Sequence, residues 1–285
     1  VGDVNATLAC SVTAKKEWVK CCHIEAGLRS GDMTMPEEIN RLVTDRLSDL
    51  LLTPDALSSE NLRREGVPET RIKFVGNIMI DTLEAQRKKA EKLSIETIIR
   101  ENVLPDQSNM PIDRLDFFAL MTMHRPSNVD QQETLESILN FLINEVTHDM
   151  TLVWPVHPRA VQKLKDFNLW QRALECNHLV LLHPLGYHEM LRLNMDARLM
   201  LTDSGGLQEE CSVLGTRCLT LRWNTERPVT LKDYGGACVL VGNNVKYIRD
   251  EYRNALASER KPVRPALWDG KTAERCLKAI LDFEF

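Results

Sequence analysis

Short apolar runs alternate with amphipathic stretches along the whole chain. Runs at 19–24, 49–53 and 72–75 predict strands, and the polar–apolar patterns at 5–16, 38–47 and 58–65 predict helices between them. This β-α-β-α order is that of a parallel, doubly wound sheet. Val1 reads as the last residue of a strand and Gly2-Asp3 as its turn, so about three and a half strands are expected. A parallel sheet cut at that point leaves unpaired backbone groups, so this domain is expected to be incomplete, with strands preceding Val1.

The second half repeats the pattern more regularly. Strands are predicted at 117–123, 151–156 and 179–182, then at 198–202, 218–221 and 239–241. The clearest helix is 131–146, with Leu135, Ile138, Leu139, Leu142, Ile143 and Val146 on one face. A charged helix over 82–100 bridges the halves, a loop is expected at 106–116, and 272–281 is a final amphipathic helix. The reading is an α/β chain. It comprises a partial Rossmann-like domain (1–80), a bridging helix and loop (81–116), a complete Rossmann-like domain (117–265) and a C-terminal helix (266–285). Two such domains in one chain predict the glycosyltransferase-B architecture, in which they face a cleft.

Composition narrows the function. At 285 residues the chain is long enough for two cores, and its 43% hydrophobic and 27% charged residues are ordinary for a globular protein. A net charge of -5 argues against nucleic acid. No apolar run reaches membrane-spanning length, and no signal-peptide pattern opens the chain. The eight cysteines form no CxxC pair, which fits reduced thiols and a cytoplasmic setting. His183 and His188 are five apart, off the face of a zinc-binding helix, so no metal is expected.

The unusual residues gather after predicted strands, where sheets of this kind bind ligands. In Thr202-Asp203-Ser204-Gly205-Gly206, a strand passes at once into a helix. Amide groups at a helix start favour phosphate, and glycines let it approach. Glu210, about one turn further in, offers a carboxylate to a ribose. A tight turn with Ser204 as N-cap explains the same residues. His23-Ile24-Glu25-Ala26-Gly27-Leu28-Arg29 ends another strand. In Thr34-Met35-Pro36-Glu37-Glu38-Ile39-Asn40-Arg41, Thr34 and Glu37 have capping-box spacing, and Glu37 and Arg41 have ion-pair spacing. His124-Arg125-Pro126, His157-Pro158-Arg159 and Asn224-Thr225-Glu226-Arg227 are three more charged turns.

In this order and at these spacings, HIEAGLRSGDMTMPEEINR, MHRPSN, VHPR, TDSGGLQEE and NTERPVT resemble the motif series of the non-hydrolysing UDP-N-acetylglucosamine 2-epimerases. The resemblance runs from Val1 to about Val241. It implies acid/base carboxylates at Asp3, Glu25 and Glu37, an essential histidine at His124 and a functional arginine at Arg41. It places UDP contacts at His157, Ser204, Gly205 and Glu210. Arg125, Gly206 and Arg227 join the candidate substrate contacts. Met190 stands where many relatives have an aromatic residue near the uracil, and Gly235-Gly236-Ala237 replaces Gly-Thr-Asn. The family's opening Gly-Thr-Arg-Pro-Glu strand is absent from the sequence. A homodimer is implied, with UDP-GlcNAc as a possible allosteric effector, and no cofactor.

The chemistry asks for these groups. The sugar C2–H has no neighbouring carbonyl to acidify it, so UDP must leave C1 before a carboxylate removes the proton. Re-addition to the resulting 2-acetamidoglucal, with a proton delivered to the opposite face, inverts C2. A hydrolysing 2-epimerase, a glycosyltransferase of the same architecture and an inactive nucleotide-sugar-binding protein are the alternatives.

Overall fold

The computed structural model of the chain describes residues 1–107 and 115–284, so most of the loop expected at 106–116 lies outside the described residues. The chain divides into two compact units. Unit 1 joins Val1–Ala85, Asn224–Val229 and Arg264–Phe285, and unit 2 joins Gln86–Trp223 and Thr230–Val263.

Unit 1 is built on β1 (Cys22–Ile24), β2 (Leu50–Thr53) and β3 (Ile72–Phe74), parallel and paired in the order β1-β2-β3. The central strand is buried along its whole length, as a strand covered on both faces must be. Leu51 packs with Ala26, Leu62, Val67 and Ile72. Its neighbours Leu50 and Leu52 point the other way, onto Val75 and Cys276 of the helix Thr272–Leu281. Val1 belongs to no strand, contrary to expectation. The Gly2 amide nevertheless donates to Ile24 O at 3.3 Å, which sets Asp3 beside the end of β1.

Unit 2 carries β4 (Phe118–Thr122), β5 (Thr151–Pro155), β6 (Leu179–Leu182), β7 (Leu199–Thr202), β8 (Arg217–Thr220) and β9 (Cys238–Leu240). All pair in parallel, in the order β6-β5-β4-β7-β8-β9. This is the Rossmann order, and its switch point falls between β4 and β7. Alternate side chains fill opposite cores: Met121, Trp154 and Leu201 on one side, Leu120, Val153 and Met200 on the other.

The helix expected at 82–100 is two helices, Ile78–Ala90 and Ile95–Asn102. The second starts where Ser94 accepts a hydrogen bond from the Thr97 amide. The helix expected at 131–146 runs over Gln132–Phe141 and continues through a π-helical turn at Leu142–Val146. Among the described residues no helix is long and apolar enough to cross a membrane.

Candidate active site

In unit 1, two chains of charge organise the end of β1. Arg41 is almost wholly buried and donates from Nη1 to Asp3 Oδ2 and from Nη2 to Glu38 Oε2, both at 2.6 Å. Glu38 also accepts from the amides of Ser30 and Gly31 at 3.0 and 2.9 Å. Burial pushes the Glu38 carboxyl up, but these amides and Arg41 outweigh it and hold it below the ordinary carboxylate value. The expected Thr34–Glu37 capping box and Glu37–Arg41 ion pair do not form. Pro36 takes the first helical position, Met35 becomes the N-cap, and Arg41 turns to Glu38, one residue closer. Glu37 is half-exposed and makes no hydrogen bond or ion pair within the described residues.

Glu25 stands at the end of β1 with φ 74°, a left-handed conformation that costs a non-glycine residue about 1–3 kcal/mol. Its backbone is held there by donation of its amide to Leu52 O at 3.0 Å. Its carboxylate lies 2.8 Å from Arg227 Nη2, with both side chains largely buried, and Arg227 also pairs with Glu226. Beneath this turn, buried His23 spans Asp45 Oδ1 at 2.6 Å and Gly2 O at 2.9 Å, tying the residue before Asp3 to β1. Asp45 Oδ2 in turn takes the Gly27 amide and Arg29. Gly27 has no substitute here: its φ is 82°, and a Cβ would stand 2.3 Å from Ser58 O.

In unit 2, the candidates sit after β4, β5 and β7. The Asp203 carboxylate is wholly buried, and its Oδ2 accepts from the amides of His124 and Arg125 and from Asn128 Nδ2 at 2.8–3.0 Å. Its Oδ1 lies 2.9 Å from His124 Nδ1, a close contact but too bent for a well-aligned hydrogen bond. Burial alone would raise the Asp203 carboxyl; His124 and the amides reverse this and hold it low. Arg125 Nε donates to Asp203 O at 2.8 Å. The His157 ring is 5.1 Å from that of His124 and accepts from the Arg159 amide through Nδ1. Burial and then the neighbouring His124 push the His157 pKa down.

Ser204 occupies the N-cap of the helix Gly205–Leu214, as one reading of the sequence expected, but its hydroxyl caps none of the helix amides. A Cβ on Gly206 would meet nothing within 4 Å, so the fold itself does not demand glycine there. Glu210, 8% exposed, has its pKa pushed up to about 7 by burial, against the opposing pull of Tyr187 and Asn194. Met190 lies on the helix Tyr187–Asp196, partly buried against a hydrophobic core. Asp3, Glu25, Arg41 and Arg227 are thus gathered in unit 1, and His124, Arg125, His157 and Ser204 to Glu210 in unit 2. Sequence reasoning missed Glu38, Asp203 and Tyr187 as members of these clusters. Among the described residues no group of three or more His, Cys, Asp or Glu side chains is placed to hold a metal ion.

The model of the family described as UDP-N-acetylglucosamine 2-epimerase matches residues 1–281. A Methanocaldococcus jannaschii protein named UDP-N-acetylglucosamine 2-epimerase is 40% identical over 98% of this chain and 73% of its own length. A Pseudomonas aeruginosa protein named UDP-2,3-diacetamido-2,3-dideoxy-D-glucuronate 2-epimerase is 36% identical over 90% of this chain and 66% of its own. The crystal structure of the M. jannaschii UDP-GlcNAc 2-epimerase in complex with UDP-GlcNAc and UDP superposes with a TM-score of 0.83, at 37% identity, over 98% of this chain and 74% of that one. The order of the motifs, the two parallel sheets and the match over nearly the whole chain lead to one conclusion: the chain belongs to the UDP-N-acetylglucosamine 2-epimerase family.

Proposed function

We propose that the protein interconverts UDP-GlcNAc and UDP-ManNAc by eliminating UDP to a 2-acetamidoglucal and adding it back, without net hydrolysis. The observation that carries this is Glu25. A carboxylate held in a strained left-handed turn, with its partner arginine fixed by a second acid, is built for more than folding. Asp3, Glu25 and Glu37 are the proton-transfer candidates, and Arg41 orients Asp3. The Ser204 amide is taken by Thr202 Oγ1 at 3.0 Å, so His124, the Ser204 hydroxyl and the amides of Gly205 and Gly206 stabilise the departing diphosphate, with Arg125 and His157 as further contacts. The Glu210 carboxylate accepts from the ribose, and Met190 lies toward the uracil.

The relatives support the nucleotide-sugar substrate: one is named for UDP-GlcNAc and was crystallised with it and with UDP. We extend this to a homodimer with UDP-GlcNAc as a possible effector. Free thiols, four of them fully buried, fit a reducing cytoplasm. The test is product analysis by NMR. UDP-GlcNAc should convert to an equilibrium mixture with UDP-ManNAc, whereas accumulation of UDP and free N-acetylmannosamine would establish a hydrolysing enzyme. The diacetamido-glucuronate nucleotide, run in parallel, tests the substituents at C3 and C6.

A further inference from the structure

Every polar group around Asp203 leads back to the loop that carries His124. One carboxylate oxygen takes the amides of His124 and Arg125 and the side chain of Asn128, while the other faces His124 Nδ1. Asn128 Nδ2 is also bonded to Leu221 O at 2.9 Å, so the loop after β4, the end of β7 and the end of β8 are tied together through one buried acid. Holding the loop alone needs only an acceptor for the amides. The second oxygen, 2.9 Å from a ring nitrogen, is left over from that task.

We propose that Asp203 is a positioning residue for His124: it holds the hydrogen at Nδ1, so that Nε2 takes up a proton in the neutral ring and donates it to the departing diphosphate in the charged ring. An ionised carboxylate only accepts, so a ring nitrogen facing it must carry hydrogen. The neighbouring His157 is held in the opposite form, because its Nδ1 accepts from the Arg159 amide and its Nε2 must carry the hydrogen when the ring is neutral. Two rings 5.1 Å apart are thus set to opposite tautomers by the groups their Nδ1 atoms face. The proposal rests on the reading of His124 as a group that touches substrate.

The experiment is long-range 1H–15N NMR of the histidines in the intact protein. His124 is assigned by loss of its signals in His124→Asn. Wild type should show His124 as the Nδ1–H tautomer and His157 as Nε2–H. Asp203→Asn keeps an acceptor for the amides and turns a donor toward the ring, so His124 should change to Nε2–H. Its kcat should fall about 100-fold or more, with KM changed less than about 3-fold. In the His124→Asn background the same change should cost almost nothing, because coupled residues do not add. An Nε2–H tautomer for His124 in wild type, or an Asp203→Asn loss undiminished in that background, would overturn the proposal; the first needs no folded Asp203 variant. Undiminished turnover by His124→Asn itself would instead sink the reading of His124 and leave the tautomer result standing.

Discussion

Arg227 Nη2 stands 2.8 Å from the Glu25 carboxylate, and the same guanidinium is held by Glu226. Glu25→Gln keeps the shape of the side chain and leaves Arg227 its second acid. The fold and UDP affinity should therefore survive. General acid–base groups contribute about 100- to 10,000-fold, so kcat should drop within or beyond that range. Steady-state kinetics beside UDP calorimetry checks this. A variant that loses stability but turns over normally would make Glu25 a structural acid.

Glu38 should matter to stability and turnover together, because its bonds run through Arg41 to Asp3. Removing one partner of a buried pair costs about 3–5 kcal/mol, so Glu38→Gln should lose on the order of 3 kcal/mol at neutral pH. The folded-state pKa is lowered. The contribution is thus present above the unfolded value of 4.5 and is lost as pH falls through the folded one. Denaturation curves at pH 7 and pH 3 should show the gap between variant and wild type closing in acid.

Glu210 should behave in the opposite sense. Its pKa is raised to about 7, so its contribution is intact below the unfolded value of 4.5 and is lost as pH rises through about 7. Glu210→Gln should match wild type at pH 4 and exceed it at pH 8, by at most about 3 kcal/mol. The same variant should raise the KM for UDP-GlcNAc by roughly 10- to 100-fold, for loss of a charged hydrogen-bond acceptor. Equal stability of the two proteins at both pH values would contradict a carboxylate whose burial outweighs the pull of Tyr187 and Asn194.

Gly206→Ala separates ligand from fold. The added Cβ meets no protein atom within 4 Å and lies within a helix, where alanine is favoured by about 0.5–1 kcal/mol. Stability should hold or rise, while the KM for UDP-GlcNAc should increase about 10-fold or more as the methyl meets the phosphate. An unchanged KM would move the diphosphate away from this turn.

Local pattern carried most of the architecture. The run Leu179–Leu182 is apolar throughout because β6 is covered on both faces, and that property is written into consecutive residues. The break between the helices at Ala90 and Ile95 is faint in the sequence, because no glycine or proline marks it and the signal is one capping serine. Spacing favoured Glu37 as the partner of Arg41, yet Glu38 and Asp3 hold it, the latter 38 residues away. Asp203 carries no local signal beside Ser204 and Gly205 for the same reason: its partners are 75–79 residues distant and become neighbours only when β4 pairs with β7. Motifs marked the strand ends that matter, while the buried acids that fix them are legible only in three dimensions.

The proposed reaction turns on proton transfer at C2, and turnover of UDP-GlcNAc in D2O reads that step out. If an exchangeable group removes the C2 proton and another reprotonates the opposite face, UDP-ManNAc formed by wild type carries deuterium at C2, and Asp3→Asn and Glu25→Gln form almost none. Epimerised product that retains the original C2 hydrogen would contradict the mechanism, and normal turnover by both variants would contradict the assignment of those carboxylates.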